Sequence, residues 1–487
     1  MGTKLYLKFF LVLILACSLT SSRAQTLSQD LEAIADIVVD INGSGDYLTI
    51  REAIGAIPDS STETTVLLVK KGTYDEKVIL NHKKWNVVLV GEDVDSTIIT
   101  GDDYGDQMLP GGHTFSTYTF RADPHGFQAY NITFENTTRL GQGVAYHSNG
   151  DKQILYHCKL LGYQDTYFDN FRTRRYIKDC LIEGATDYIF GWGVTLFDSC
   201  QIHSIASGWI TAAATPEHYE FGYVFKDCYL ISPGRRKGVK LGRPWFPYSN
   251  VTFFQCYESD DISYGGWDDW SGRKATAIYR EYNCFGPGNW PERRFDWAGQ
   301  LDSSLAPRYN IDTIFAASNF PSHMGPEVDS IEFWSMRDRF EASGYADRAD
   351  TILYAGRDYW PDYPTDNWVP EYYDEVYQIV NQYTTQFVDT IRTEYHTGIF
   401  DQVQEEVGVE VLSPAKDMLR ISTNRPLRNV TLTLFDLSGK QVAVTHAEAV
   451  PVGVQELSIE SLGLLPGVYV YRIETAEQVY SNKVLIN

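Results

Sequence analysis

One interval runs through the middle of this chain. Gln142 and Gln164 stand 22 residues apart, and so do Asp165 and Asp187. A cysteine pattern keeps similar time: Cys158, Cys180 and Cys200 each follow a polar residue and open a short apolar run. Cys228 and Cys256 continue it at steps of 28. No helical period passes through these segments. A short strand with a small buried residue, repeated every 20 to 28 residues, specifies a solenoid of strands and turns, so the expected fold is all-β, a parallel β-helix.

Stacking would give the repeat its chemistry. Successive coils of paired strands lie about 4.8 Å apart, so residues one repeat apart on one face become neighbours. Asp165 would then meet Asp187, with Gln142 and Gln164 beside them. Two close carboxylates push their pKa values apart, leaving one ionised and one protonated. Adjacent amides suit a developing oxyanion. A ladder that merely satisfies turn backbone is the structural alternative, and the register of both glutamines together with Arg243 downstream argues against it.

Composition narrows the partners. The net charge of −23 opposes binding to nucleic acid or an anionic membrane. Aromatic residues make up 14% of the chain, with 33 Tyr, which suits a polysaccharide groove without proving one. Residues 1–24 read as a signal peptide: Lys4 and Lys8 precede the apolar run Phe9 to Ala16, and Ser22-Arg23-Ala24 supplies a cleavage site. Cys17 raises the thought of a lipoprotein site, but Leu15 fits that pattern poorly. No later segment reads as a membrane span. The six remaining cysteines invite disulfides in an exported protein. In-register side chains at about 4.8 Å exceed the roughly 3.8 Å that a disulfide wants between Cβ atoms, so the first five read as a buried free-thiol stack. Nothing in the spacing suggests a metal site or a cofactor.

Taken in order, Arg51 to Ile57 reads as a short helix capping the solenoid. Val66 to Val69, Val87 to Val90 and Thr97 to Thr100 read as strands, and Lys71 to Glu76 as a turn. Phe127 to Glu135 carries the coil toward the central repeat. His147, His157 and His203 read as turn or core residues.

Five motifs then resemble those of the pectin methylesterase (pectinesterase) family, in family order. Gly72-Thr73-Tyr74-Asp75-Glu76 is similar to GxYxE, Gln142 to Tyr146 to QAVAL, and Gly162 to Thr166 to GYQDT. Asp187 to Gly191 is similar to DFIFG, and Leu241 to Trp245 is LGRPW unchanged. The resemblance covers residues 37–315 and implies a right-handed β-helix that removes methyl esters from pectin. It implies Asp187 as nucleophile, Asp165 as acid/base, Gln142 and Gln164 as oxyanion stabilisers and Arg243 as the group orienting Asp187. Trp245 is implied as a sugar-stacking wall; Phe190, Tyr163 and Tyr167 join it as candidate substrate contacts. Departures at Gly143, Tyr146, Tyr167 and Tyr188 remove no reactive group, and their expected effect is on subsite shape. The implied partner is methyl-esterified pectin, handled by a monomer. The alternatives are a lyase or glycosidase on the same scaffold, since a close carboxylate pair also fits a retaining glycosidase, and a non-catalytic pectin-binding protein.

The chain changes character twice more. Residues 316–410 are acidic and aromatic, with Trp334, Tyr359, Trp360, Tyr363 and Trp368, and a helix is expected from Glu371 to Thr390. Residues 411–487 alternate as short strands with turns at 437–440 and 465–467, a small β-sandwich. Leu434 to Gly439, Pro466 to Tyr469 and Lys483 to Ile486 resemble the C-terminal sorting domain of type IX secretion, which implies export to the cell surface or medium by that machinery. A generic carbohydrate-binding module is the other reading.

Overall fold

The computed structural model describes residues 27–105, 114–234, 237–320 and 364–387, and the strands of residues 409–486. The expected leader at 1–24, the aromatic residues Trp334, Tyr359, Trp360 and Tyr363, and the turns at 437–440 and 465–466 lie outside these residues.

Three parallel sheets wind into one coil. An eleven-stranded sheet runs from Ile37–Val39 to Gly299–Gln300, an eight-stranded sheet from Gly72–Asp75 to Tyr257–Glu258, and a seven-stranded sheet from Val78–Leu80 to Lys240–Gly242. Through the middle of the chain a strand's neighbour is the third strand along, which is what a three-sided right-handed β-helix requires. The register matches the sequence interval: Tyr167 pairs with Ile189, and Ile189 with Thr211.

The corners explain the polar residue before each cysteine. His157, Asp179, Ser199, Asp227, Gln255 and Asn283 all have positive φ, between 45° and 55°. The first five turn the chain from the eleven-stranded into the eight-stranded sheet. Left-handed backbone costs an ordinary L-residue about 1–2 kcal/mol, and Asn and Asp tolerate it best. The next residue points inward. The cysteines are free, as expected, and Cys158, Cys180, Cys200, Cys228 and Cys256 are buried. Backbone N–H groups of Cys158 and Cys200 donate to the sulfurs of Cys180 and Cys228, at 3.3 and 3.4 Å. Beside them a phenylalanine column rises one ring per coil, with Phe197 to Phe225 at 4.4 Å and Phe225 to Phe253 at 4.5 Å. These contacts fill the interior without disulfides.

The first coil is closed by a helix, α1 (Ile50–Ala56), which buries Ile50, Ala53 and Ile54. Its start is held twice: the Thr49 side chain accepts from the Glu52 N–H, and Glu76 accepts from the N–H groups of Ile50 and Arg51 at 2.9 and 3.1 Å. Lys71 to Glu76 is not a turn, since Gly72–Asp75 is a strand with Tyr74 packed inward. Its alternation, with only Tyr74 apolar, concealed the strand. Motif residues Tyr74 and Glu76 therefore serve the fold.

Residues 364–387 lie along the outer face of the eleven-stranded sheet. Asp366 pairs with Arg174, which Asp151 also holds. Helix α2 (Asp374–Tyr383) falls inside the expected range and buries Val376 and Val380 against Leu68, Val88 and Val90. Tyr372 and Tyr377 stack at 4.4 Å beside Tyr156. In the separate C-terminal unit seven strands form two antiparallel sheets, of three and four strands. Val409–Ala415 and Gly453–Ser458 flank Met418–Thr423 in the three-stranded sheet.

The corner geometry is testable at Ser199, whose φ is 55°. Ser199→Val should destabilise the coil by about 1–2 kcal/mol, while Ser199→Gly should be close to neutral. Urea unfolding of both variants, followed by tryptophan fluorescence, reads the difference.

Candidate active site

The site lies where the chain enters the seven-stranded sheet. Gln142 bridges Gln164, and Gln164 bridges Thr186, so three consecutive coils meet here in register. The next residues up the column are Gly143, Asp165 and Asp187. Both aspartates have positive φ, 66° and 50°, a conformation their short polar side chains tolerate. The turn is tight. A Cβ on Gly162 would meet the Thr166 hydroxyl at 2.5 Å, and one on Gly184, its equivalent a coil later, would meet the Tyr188 Cβ at 2.2 Å. The sharp turn delivers the two carboxylates to the same place on adjacent coils, as the 22-residue interval predicts.

Both carboxyls are almost wholly buried, Asp165 at 3% exposure and Asp187 at 5%. Burial disfavours the charged form and raises both pKa values above the ordinary carboxylate range. They differ in what opposes burial. Arg243 donates from Nε and Nη2 to the two oxygens of Asp187, at 2.9 and 2.5 Å. This fork holds Asp187 down relative to its partner. Asp165 is pushed well above its ordinary value, first by burial and then by the Asp187 charge. The Gln142 amide and the more distant Arg243 only partly offset this. The arrangement therefore contains one arginine-paired carboxyl and one that holds its proton more tightly.

The Thr114 hydroxyl donates to Oε1 of Gln142, leaving the Gln142 NH2 group turned toward Asp165. Gln164 is half-buried alongside. Arg243 lies between two indoles, with its guanidinium carbon 3.7 Å from the Trp209 ring and 3.9 Å from the Trp270 ring. The aromatic faces hold the fork in one plane. Thr114, Trp209 and Trp270 were not among the residues expected here. Trp209 was detectable, because it stands 22 residues after Asp187.

The proposed substrate contacts divide. Trp245 is half-buried and lies 4.8 Å from Trp192, at the edge of an outward-facing cluster with Phe115, Phe168 and Phe190. Phe190 belongs to that cluster but is 4% exposed, stacked on Phe168 at 4.6 Å with Trp245 at its edge. It backs the wall and offers no free face. Tyr163 is half-buried under the Arg139 guanidinium, 4.6 Å away. Tyr167 is a correction: it points into the coil, fully buried between Tyr146 and Phe197. Strand alternation sends Phe168 outward in its place. Tyr146 and Tyr188 are interior as well, so these departures from the family motifs alter the core and not the subsites. Among the described residues, no group of three His, Cys, Asp or Glu side chains converges as metal ligands would.

Comparisons with known proteins give the family. The pectinesterase family model matches residues 36–318, and the secretion system C-terminal sorting domain model matches residues 413–487. Pectinesterase 31 of Arabidopsis thaliana is 33% identical over 53% of the chain and 86% of its own length. A pectinesterase/pectinesterase inhibitor of Ficus pumila var. awkeotsang is 36% identical over 56% of the chain and 52% of its own length. The chain spans about half the length of several such relatives, 54% and 49% for two from Arabidopsis thaliana. Among solved structures, pectin methylesterase from carrot superposes with a TM-score of 0.54 at 30% identity, over 57% of this chain and 92% of that one. With the family model covering more than half of the sequence and the fold shared, the chain belongs to the pectinesterase family.

Proposed function

We propose that the protein hydrolyses the methyl esters of pectin homogalacturonan to pectate and methanol, with Asp187 as nucleophile. The observation that carries the reading is the differentiated pair: Asp187 in the grip of Arg243, and Asp165 one coil away without a cation of its own. An Asp oxygen of Asp187 attacks the ester carbonyl carbon. The tetrahedral oxyanion takes hydrogen bonds from the Gln142 and Gln164 amides, each worth roughly 3 kcal/mol in such a role. Asp165 gives its proton to the departing methanol oxygen. As a carboxylate it then takes a proton from water, whose oxygen attacks the acyl-enzyme and releases the galacturonate carboxyl and Asp187. Half-buried Trp245 offers a face for the sugar. The likeness to named pectinesterases and to the carrot enzyme supports the substrate class.

Residues 1–24 and the sorting domain supply the export half of the reading. The chain leaves the cell through the machinery that recognises the C-terminal unit, which is removed on the way. Mass spectrometry of the secreted form should find residues 413–487 absent; an intact C-terminus would instead favour a binding module.

Asp187→Ala should lower methanol release from methylated pectin by more than about 10,000-fold. Methanol release retained by that variant would overturn Asp187 as nucleophile; new reducing ends or unsaturated products from the parent protein would overturn the esterase assignment. Gln142→Ala should cost about 100-fold or more in kcat, and Thr114→Val, which leaves the amide in place but unaimed, a smaller factor.

The rate should follow a bell in pH, falling below the raised pKa of Asp187 and above the higher one of Asp165. Arg243→Gln removes the interactions holding Asp187 down, so the acidic limb of the kcat profile should move to higher pH. A second sign follows from linkage. Asp165 binds its proton more tightly in the fold than in the unfolded chain, which costs stability as pH rises above about 4. Asp165→Asn should therefore be inactive yet more stable than the parent at pH 7. That gain should vanish near pH 4, as measured by Tm across pH.

A further inference from the structure

We propose that a ledge formed by Tyr264, Trp290 and Arg293 binds de-esterified, carboxylate-bearing stretches of an acidic polysaccharide, about three coils from the aspartate pair. The identity of the polymer rests on the esterase reading; the ledge itself rests on its own geometry. The Arg293 guanidinium carbon stands 4.7 Å from the Tyr264 ring and 4.9 Å from the Trp290 ring. The two rings meet edge-on at 5.4 Å. Tyr264 is 56% exposed and the Arg293 side chain 52%, so an aromatic face and a cation are offered together to solvent. Glu292 approaches Arg293 only to 3.9 Å, a loose surface contact. An apolar sugar face suits the ring, and a uronate carboxylate suits the guanidinium fork.

The ledge is built on a buried anchor. Arg294, adjacent in sequence, is held inside by Glu258 and Glu281 and donates to the carbonyls of Ser263 and Tyr264 at 3.1 and 3.2 Å. One buried guanidinium therefore fixes both the loop carrying Tyr264 and the turn carrying Arg293. A preorganised surface loses little entropy on binding.

Position supplies the connection to the site. Trp209 pairs with Lys240, and Val239 bridges Ile262, so Asp187, Trp209, Lys240 and Ser263 ascend one column. At about 4.8 Å per coil, Tyr264 lies roughly 14 Å from Asp187. The chain's net charge of −23 repels a polyanion, so a product stretch needs a local cation to stay bound, and Arg293 provides it. An enzyme holding the acidic block it has just made, while the next ester meets Asp187, would favour esters beside such blocks.

The test uses the full chain, with polygalacturonate as probe and isothermal calorimetry at low salt. Arg293→Gln and Tyr264→Ala should each weaken binding of long polygalacturonate roughly fivefold or more. The kcat on a short methyl ester that cannot reach from Asp187 to the ledge should be unchanged. Equal affinities of parent and variants for the long polymer would overturn the ledge. A parent that binds through Arg293 but releases no methanol would leave the ledge standing and remove the esterase reading.

Discussion

The main-chain ladder between successive coils is the constraint on which everything else rests. Each strand of the solenoid pairs in parallel with the strand one turn later, and that pairing fixes side chains to within one residue. A slip of one position would send Phe168 into the coil and Tyr167 out, and would part Asp165 from Asp187. The same register that stacks Phe197, Phe225 and Phe253 therefore also aligns the carboxylates. Fold and site are specified by one interaction, and neither can drift without the other.

Within that frame, burial does the electrostatic work and a single arginine gives it direction. Two carboxyls in nearly the same surroundings would share a proton ambiguously. Arg243, flattened between Trp209 and Trp270, breaks the symmetry by pairing with only one of them. The aromatic sandwich matters because an unrestrained guanidinium could reach toward either acid. The outer wall of Phe115, Phe168 and Phe190 contributes indirectly, by backing the half-buried Trp245.

Much of this was legible in the sequence because it is periodic. The interval from Asp165 to Asp187, the cysteine corners and the unchanged Leu241-Gly242-Arg243-Pro244-Trp245 motif placed the coil and brought its acids together. What escaped was of two kinds. Facing is a property of strand phase, which a turn of unknown length resets; Tyr167 was assigned outward for that reason. Contacts from loops have no period at all. Thr114 reaches Gln142 across 28 residues, and Trp270 reaches Arg243 from a segment past the last strand of the seven-stranded sheet. The packing of residues 364–387 along the outer face depends on tyrosines from both partners, and no interval in either segment announces it.

The sulfur stack has a consequence of its own. Five thiols lie in the interior without covalent partners, guarded only by the closeness of the coils around them. An alkylating reagent or oxidant can reach Cys180 or Cys200 only after a turn has lifted away from its neighbour. The rate at which those sulfurs become labelled is thus a gauge, read at known heights along the axis, of where the solenoid first comes undone.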